Sequence, residues 1–181
     1  MELLKFENTF IQKSYLTISI LGKSYKLDIK YIHSNTIELI KDNNSFKLLL
    51  PKKYTKTDNI EIINYVIQKL YSQIAPKELE DCMELVRYIV KFAPEDYSIE
   101  RLNNSFYKIN KNKILIINPD IIQFNKDIII NTLLQAFCKI KYKSNTKSYK
   151  NNLMIFLQKY ENYKNQLKNK DEFETYFANV I

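Results

Sequence analysis

The chain has 181 residues, 45% hydrophobic and 27% charged, which suffices for a buried core and excludes a disordered polymer. No apolar run nears the ~20 residues that span a bilayer, residues 1–7 are not expected to act as a secretory leader, and Cys82 and Cys138 offer neither a disulfide framework nor a zinc spacing. The net charge of +8 is nearly all lysine, and the expectation is a basic, cytoplasmic protein with no membrane partner.

In chain order, residues 14–30 hold two alternating β-runs around Gly22, the only glycine, which reads as a hairpin turn. Residues 36–40 and 46–50 predict a second hairpin around the Asn/Asp-rich 41–45, ended by Pro51. Asp58 is the expected cap of a helix whose apolar positions run from Ile60 to Ile74 at helical spacing. Pro76 is expected to break that helix and open the next, with Leu79, Met83, Val86, Ile89 and Val90 as its apolar face and Pro94 as its end.

A central β-hairpin is expected at about 104–118, turning at 110–112, with 114–117 buried on both faces. Asn125 or Asp127 caps the following helix. Its broad face is Ile129, Ile130, Leu133, Ala136, Phe137 and Ile140, and Thr132, Gln135 and Lys139 form a narrow polar stripe opposite. A further helix begins near Lys147 with Tyr149, Leu153, Phe156, Leu157, Tyr160 and Tyr163 on one side, and 171–181 reads as a short closing helix. The organisation expected is one domain over 1–181, with a β-rich part at 1–56 and a helical part at 57–181.

Charge is unevenly distributed. Residues 71–100 carry a net −4 and residues 141–170 a net +7. The two segments either pair within the fold or leave the basic one facing a partner. Lys141, Lys143, Lys147 and Lys150 are then the candidate contacts to an anion or nucleic acid. Only Arg87 and Arg101 supply the planar fork that reads base edges. The abundance of Lys, Asn, Ile and Tyr also matches AT-rich coding, which raises lysine content without any ligand. Tyrosines in the C-terminal third either stack on bases or pack inward on an amphipathic helix.

The stretch 131–149 carries the most information. An apolar helix brings Gln135 and Lys139 to one face, four residues apart, and Asn145 follows. The chain order resembles the YgjP-type zincin metallopeptidases, relatives of the SprT-like proteins. Residues 21–27 and 46–51 look like that family's opening β-region, and 114–122 like its strand and turn before the active-site helix. Residues 133–140 (L-L-Q-A-F-C-K-I), then 145–149 (N-T-K-S-Y), sit where the family has H-E-L-x-H-L followed by N-H-S-x-x-F. Residues 160–164 resemble its closing P-D-Y-K. The family's W-G motif is missing; Ser105, Phe106 and Tyr107 lie nearby.

The resemblance implies an α+β, zincin-like fold with antiparallel hairpins and a small sheet against about four helices. It also implies a vestigial metal site, in which Gln135, Lys139 and Asn145 replace the histidines and Ala136 the general-base glutamate. Zinc needs three N, S or O ligands with an open position. A lysine ammonium about 4 Å from Zn²⁺ would cost roughly 8 kcal/mol at an effective dielectric of ~20. Alanine cannot take a proton from water. The lone histidine, His33, lies in a turn and cannot rebuild a site. One histidine also excludes a Ser/His/Asp set, and one glycine excludes a P-loop or dinucleotide fingerprint. The expectation is a pseudoenzyme, with no catalytic residue, no metal and no cofactor. Two roles follow: a protein- or peptide-binding scaffold at the old cleft, or a nucleic-acid-associated module using the lysine-rich third.

Overall fold

The computed structural model describes residues 16–55 and 59–178, with side chains through 168. The chain is α+β and divides into two compact units. The first comprises the described residues through Ala75 together with Pro119–Asn125, and the second comprises Pro76–Asn118 and the residues from Lys126.

The first unit is built on a four-stranded mixed sheet. Its strands are β1 (Thr17–Ile20), β2 (Lys23–Ile32), β3 (Glu38–Asp42) and β4 (Ser45–Pro51), in the spatial order β1-β2-β4-β3. Both expected hairpins form: β1 pairs antiparallel with β2, and β3 with β4. Hairpin patterning could not disclose that β2 and β4 run parallel, with Ile32 opposite Pro51. Alternation sets the core face, where Ile18, Ile20, Leu27, Phe46, Leu48 and Leu50 are buried.

The turn between β1 and β2 requires its glycine for two reasons. Gly22 has φ +78°, and a Cβ there would lie 2.7 Å from the Cβ of Asn125. Leu21 and Gly22 donate their backbone N–H groups to the carbonyls of Ile122 (2.7 Å) and Gln123 (3.4 Å) in the 3₁₀ turn Pro119–Gln123. Ile121 and Ile122 of that turn are buried.

Helix α1 (Ile60–Val90) runs unbroken through Pro76, which corrects the expected break into two helices. Proline removes one backbone bond and crowds the preceding turn, which costs about 3 kcal/mol in a helix interior. Pro76 is exposed, and the buried stripe continues across it through Tyr71, Ala75, Leu79, Met83 and Val86. Burying such large side chains contributes about 1.5–3 kcal/mol each, which outweighs one lost bond. The proposed cap Asp58 lies outside the described residues.

The second unit contains a three-stranded sheet of β5 (Tyr97–Ile99), β6 (Tyr107–Ile109) and β7 (Leu115–Ile117), ordered β5-β7-β6. The expected hairpin is β6 with β7, antiparallel; β5, parallel to β7, has too little pattern to show in the sequence. The central strand is not buried on both faces as expected. Leu115 and Ile117 are fully buried, whereas Ile116 on the other face is half-buried. Asn118 just after it is buried, and its amide donates to the carbonyls of Leu102 (2.9 Å) and Ser105 (3.2 Å).

Two helices complete this unit, α2 (Lys126–Lys141) and α3 (Lys147–Ala178). The closing helix expected at 171–181 is, through Ala178, the end of α3, so the described residues hold three α-helices instead of about four. None of them is long and apolar enough to cross a membrane.

Candidate functional site

Helix α2 packs on α3 and on the edge strand β6. Seven side chains from Ile129 to Cys138 anchor it, and Phe137 is wholly buried with its ring 6.3 Å from that of Phe92. The opposite stripe is polar, as its spacing predicts. Thr132 is half-buried and donates its hydroxyl to the Ile128 carbonyl at 2.8 Å, while Gln135 and Lys139 are exposed one turn apart.

The four positions that the resemblance singles out fare differently. Gln135 faces solvent. Ala136 has no exposed surface, so a carboxylate at that position would have no access to water. The Lys139 ammonium lies 5.0 Å from the centre of the Tyr107 ring on β6. A hydrogen bond with the Tyr107 phenol raises the Lys139 pKa above the ordinary lysine value, and burial opposes that rise. Tyr149 on α3 joins the group, its own phenol pushed up first by burial and then by Tyr107. Asn145 lies in the exposed turn between α2 and α3 with φ +65°. No three His, Cys, Asp or Glu side chains among the described residues stand close enough together to hold a metal ion.

The basic candidates lie at the far end of α2. Lys141, Lys143, Lys147 and Lys150 are all exposed and flank the same turn. Lys141 extends over the Phe92 ring at 4.7 Å. Phe92 in turn meets Phe156 of α3 at 6.0 Å between centroids. Two further lysines that the charge run did not single out also cover aromatic rings. They are Lys91 over Tyr88 at 4.0 Å and Lys159 over Phe156 at 6.0 Å. A signal existed for Lys91, a basic residue just beyond a helix end with a proline three positions on; its φ is +62°.

Among the described side chains, no ion pair joins the acidic segment to the basic one. Glu80 and Glu84 hold Arg87, and Glu80 also accepts the Tyr97 hydroxyl, the main reason its carboxyl titrates below the usual range. Glu78 meets Lys126 at 3.0 Å. Asp127 accepts the Tyr160 hydroxyl at 2.6 Å and the Lys164 ammonium at 3.1 Å. The Tyr160 bond is the first cause of the lowered Asp127 pKa; burial and then that same bond push the Tyr160 phenol well up. Lys164 is the one lysine of 141–168 with an ion pair among the described side chains, and its partners are Asp127 and Glu161.

The tyrosines resolve inward. Tyr160 is buried, and Tyr149 and Tyr163 are half-buried, so α3 through residue 168 presents lysines without a row of open tyrosine rings. Both cysteines are buried, and burial pushes the Cys82 thiol up to about 11.

No protein family matches the chain, and neither a curated protein nor a solved structure matches it in sequence or fold.

Proposed function

We propose that the protein is a non-catalytic binding module whose basic turn between α2 and α3 engages the phosphate backbone of nucleic acid. The observation that carries this reading is the charge arrangement of one unit. Among the described residues, Glu78, Glu80, Glu84 and Asp127 of α1 and α2 are taken up by Lys126, Arg87 and Lys164, while Lys141, Lys143, Lys147 and Lys150 stand exposed with no ion pair to a described side chain.

Local chemistry adds support. Lys147 and Lys150 occupy the first turn of α3, which contains no carboxylate. That is the positive end of the helix dipole, where a cation is unfavourable and an anion favoured. A sequence that breaks a local rule without gain in the fold points to a functional site. Lysines act as point charges and contribute no bidentate base reading, so the binding is sequence-independent. The inward tyrosines leave few stacking platforms, which favours duplex over single strand.

The test is binding to duplex and single-stranded oligonucleotides at two salt concentrations. Four phosphate contacts predict an affinity loss on the order of 100-fold between 50 and 200 mM salt. No binding at 50 mM, or weak salt dependence, rejects the reading.

The second reading is a zincin-like pseudoenzyme that binds a peptide at Gln135 and Lys139. Its support is the exposure of both side chains on the α2 face. It has less to offer a ligand, because Tyr107 engages Lys139 and Ala136 is sealed. Peptide capture that survives loss of the four lysines but not Gln135→Ala would favour it.

A further inference from the structure

In the first unit, β2 and β4 end side by side as parallel neighbours, Ile32 opposite Pro51. The residues that follow directly are His33 and Lys52. Carboxyl ends of adjacent parallel strands are where sheets deliver loops to one spot, and ligands of open sheets gather there. The strand order forces the chain leaving β2 to pass the end of β4 on its way to β3, so His33, Ser34 and Asn35 wall one side. The 3₁₀ turn Lys52–Tyr54 walls the other.

Between them lies a depression of about 270 Å³, lined by His33, Asn35, Lys52 and Lys53 with the apolar Ile32 and Pro51 behind. No described carboxylate lines it. The Lys52 ammonium donates to Nε2 of His33 at 2.6 Å, which leaves the ring proton on Nδ1. Glu38, at the start of β3, accepts the Thr36 hydroxyl at 3.0 Å. Thr36 in turn shares a 2.8 Å bond with Ser34, and Glu38 is not among the residues that line the depression. Two lysines and an imidazole therefore line one open space without a described counter-charge on its walls; the Lys53 ammonium rests 5.0 Å over the Tyr54 ring at its edge.

We infer that this cavity is an anion site for a phosphoryl group, either free phosphate or a phosphate monoester. Lys52 and Lys53 supply charge, and His33 and Asn35 supply directed hydrogen bonds from the opposite wall. Donors approaching from two elements suit a tetrahedral oxyanion better than a planar carboxylate, which takes its partners in one plane. The site is independent of the lysines at the α2–α3 turn and stands whether or not they bind nucleic acid.

The chain contains one histidine, so its ring proton signals report on this cavity alone. The experiment is titration of the full chain with inorganic phosphate at pH 7.5 and fixed ionic strength, following the His33 Cε1–H resonance. A saturable shift is expected, with at least tenfold weaker binding in Lys52→Gln and in Lys53→Gln. Acetate is expected to bind at least tenfold more weakly than phosphate. A glycerol phosphate arm separates the sources: tighter binding than phosphate marks an esterified ligand, weaker binding a free ion. A linear, unsaturated response of the wild-type protein, or an equal response to acetate, overturns the site, and both are read on the wild-type chain without any variant having to fold.

Discussion

The two ends of α2 treat charge in opposite ways. At its start, Lys126 meets Glu78, and Asp127 holds both Tyr160 and Lys164. At its end, the lysines at 141, 143, 147 and 150 crowd an exposed turn with no described carboxylate beside them. The first arrangement ties α2 to α1 and α3 and serves the fold. The second leaves like charges to repel one another, and of the four only Lys141 has a described packing contact, over the Phe92 and Tyr142 rings. A partner with negative charge would offset that repulsion. Such a contrast within one helix separates structural charge from charge held for use more sharply than the net +8 of the chain does.

The largest perturbation removes what both ends share. Phe137 is fully buried mid-way along the core face of α2, against Phe92. Phe137→Ala is expected to destabilise by about 3–5 kcal/mol, measured by denaturant unfolding, and to abolish both behaviours together. Next in size is the quadruple change of Lys141, Lys143, Lys147 and Lys150 to Gln. It is expected to weaken duplex binding on the order of 100-fold at 50 mM salt, about 2.7 kcal/mol, and to flatten the salt dependence. Thermal unfolding is expected to be unchanged or slightly raised. A variant that binds as the wild type does would erase the contrast between the two ends.

Tyr160→Phe probes the other end. Loss of a hydrogen bond to a charged group is expected to cost about 1–2 kcal/mol in unfolding free energy at neutral pH and to leave duplex binding intact. The pH dependence follows from both partners. Asp127 titrates lower in the folded protein, so its contribution is present above the unfolded carboxyl value near 4 and is lost as acid protonates it. Tyr160 titrates higher when folded, so its contribution is present below the unfolded phenol value near 10 and is lost as alkali removes the proton. The gap between wild type and variant should therefore narrow below about pH 4 and above about pH 10. A gap that is constant across that range would assign the Tyr160 effect to packing alone.

How much of this was legible in the sequence depends on the range of the physics involved. Gly22 announced its turn because glycine adopts a positive φ without steric cost, and the alternation in 14–50 announced both hairpins. The buried face of α2 followed from spacing alone. Long-range choices stayed hidden. Nothing local pairs β2 with β4, and three-residue strands such as β5 carry too little pattern to stand out. At Pro76 the local rule was right about the penalty and wrong about the outcome, since apolar burial on the far side of the helix outvoted it. The candidate sites divide the same way. Lys141 to Lys150 are visible as a charge run, but whether 71–100 would neutralise them was a tertiary question. The cavity at His33 depends wholly on two parallel strand ends meeting, which spacing in the chain cannot encode.

The smallest predicted effect tests the contrast most directly, because its sign is unusual. Lys147 and Lys150 lie at the N-terminal turn of α3, three residues apart and close to Lys143 in the chain. Replacing either by Gln removes a cation from the positive end of a helix and relieves like-charge repulsion. Each change is expected to raise stability by about 0.3–1 kcal/mol at low salt, and the gain should shrink as salt screens it. The same change should weaken duplex binding by the equivalent of one phosphate contact. Opposite signs in the two measurements are the mark of a residue retained for a ligand at the expense of the fold. If Lys147→Gln instead destabilises the protein, its ammonium is making a contact that the fold needs, and the turn would then belong with the paired charges at the start of α2.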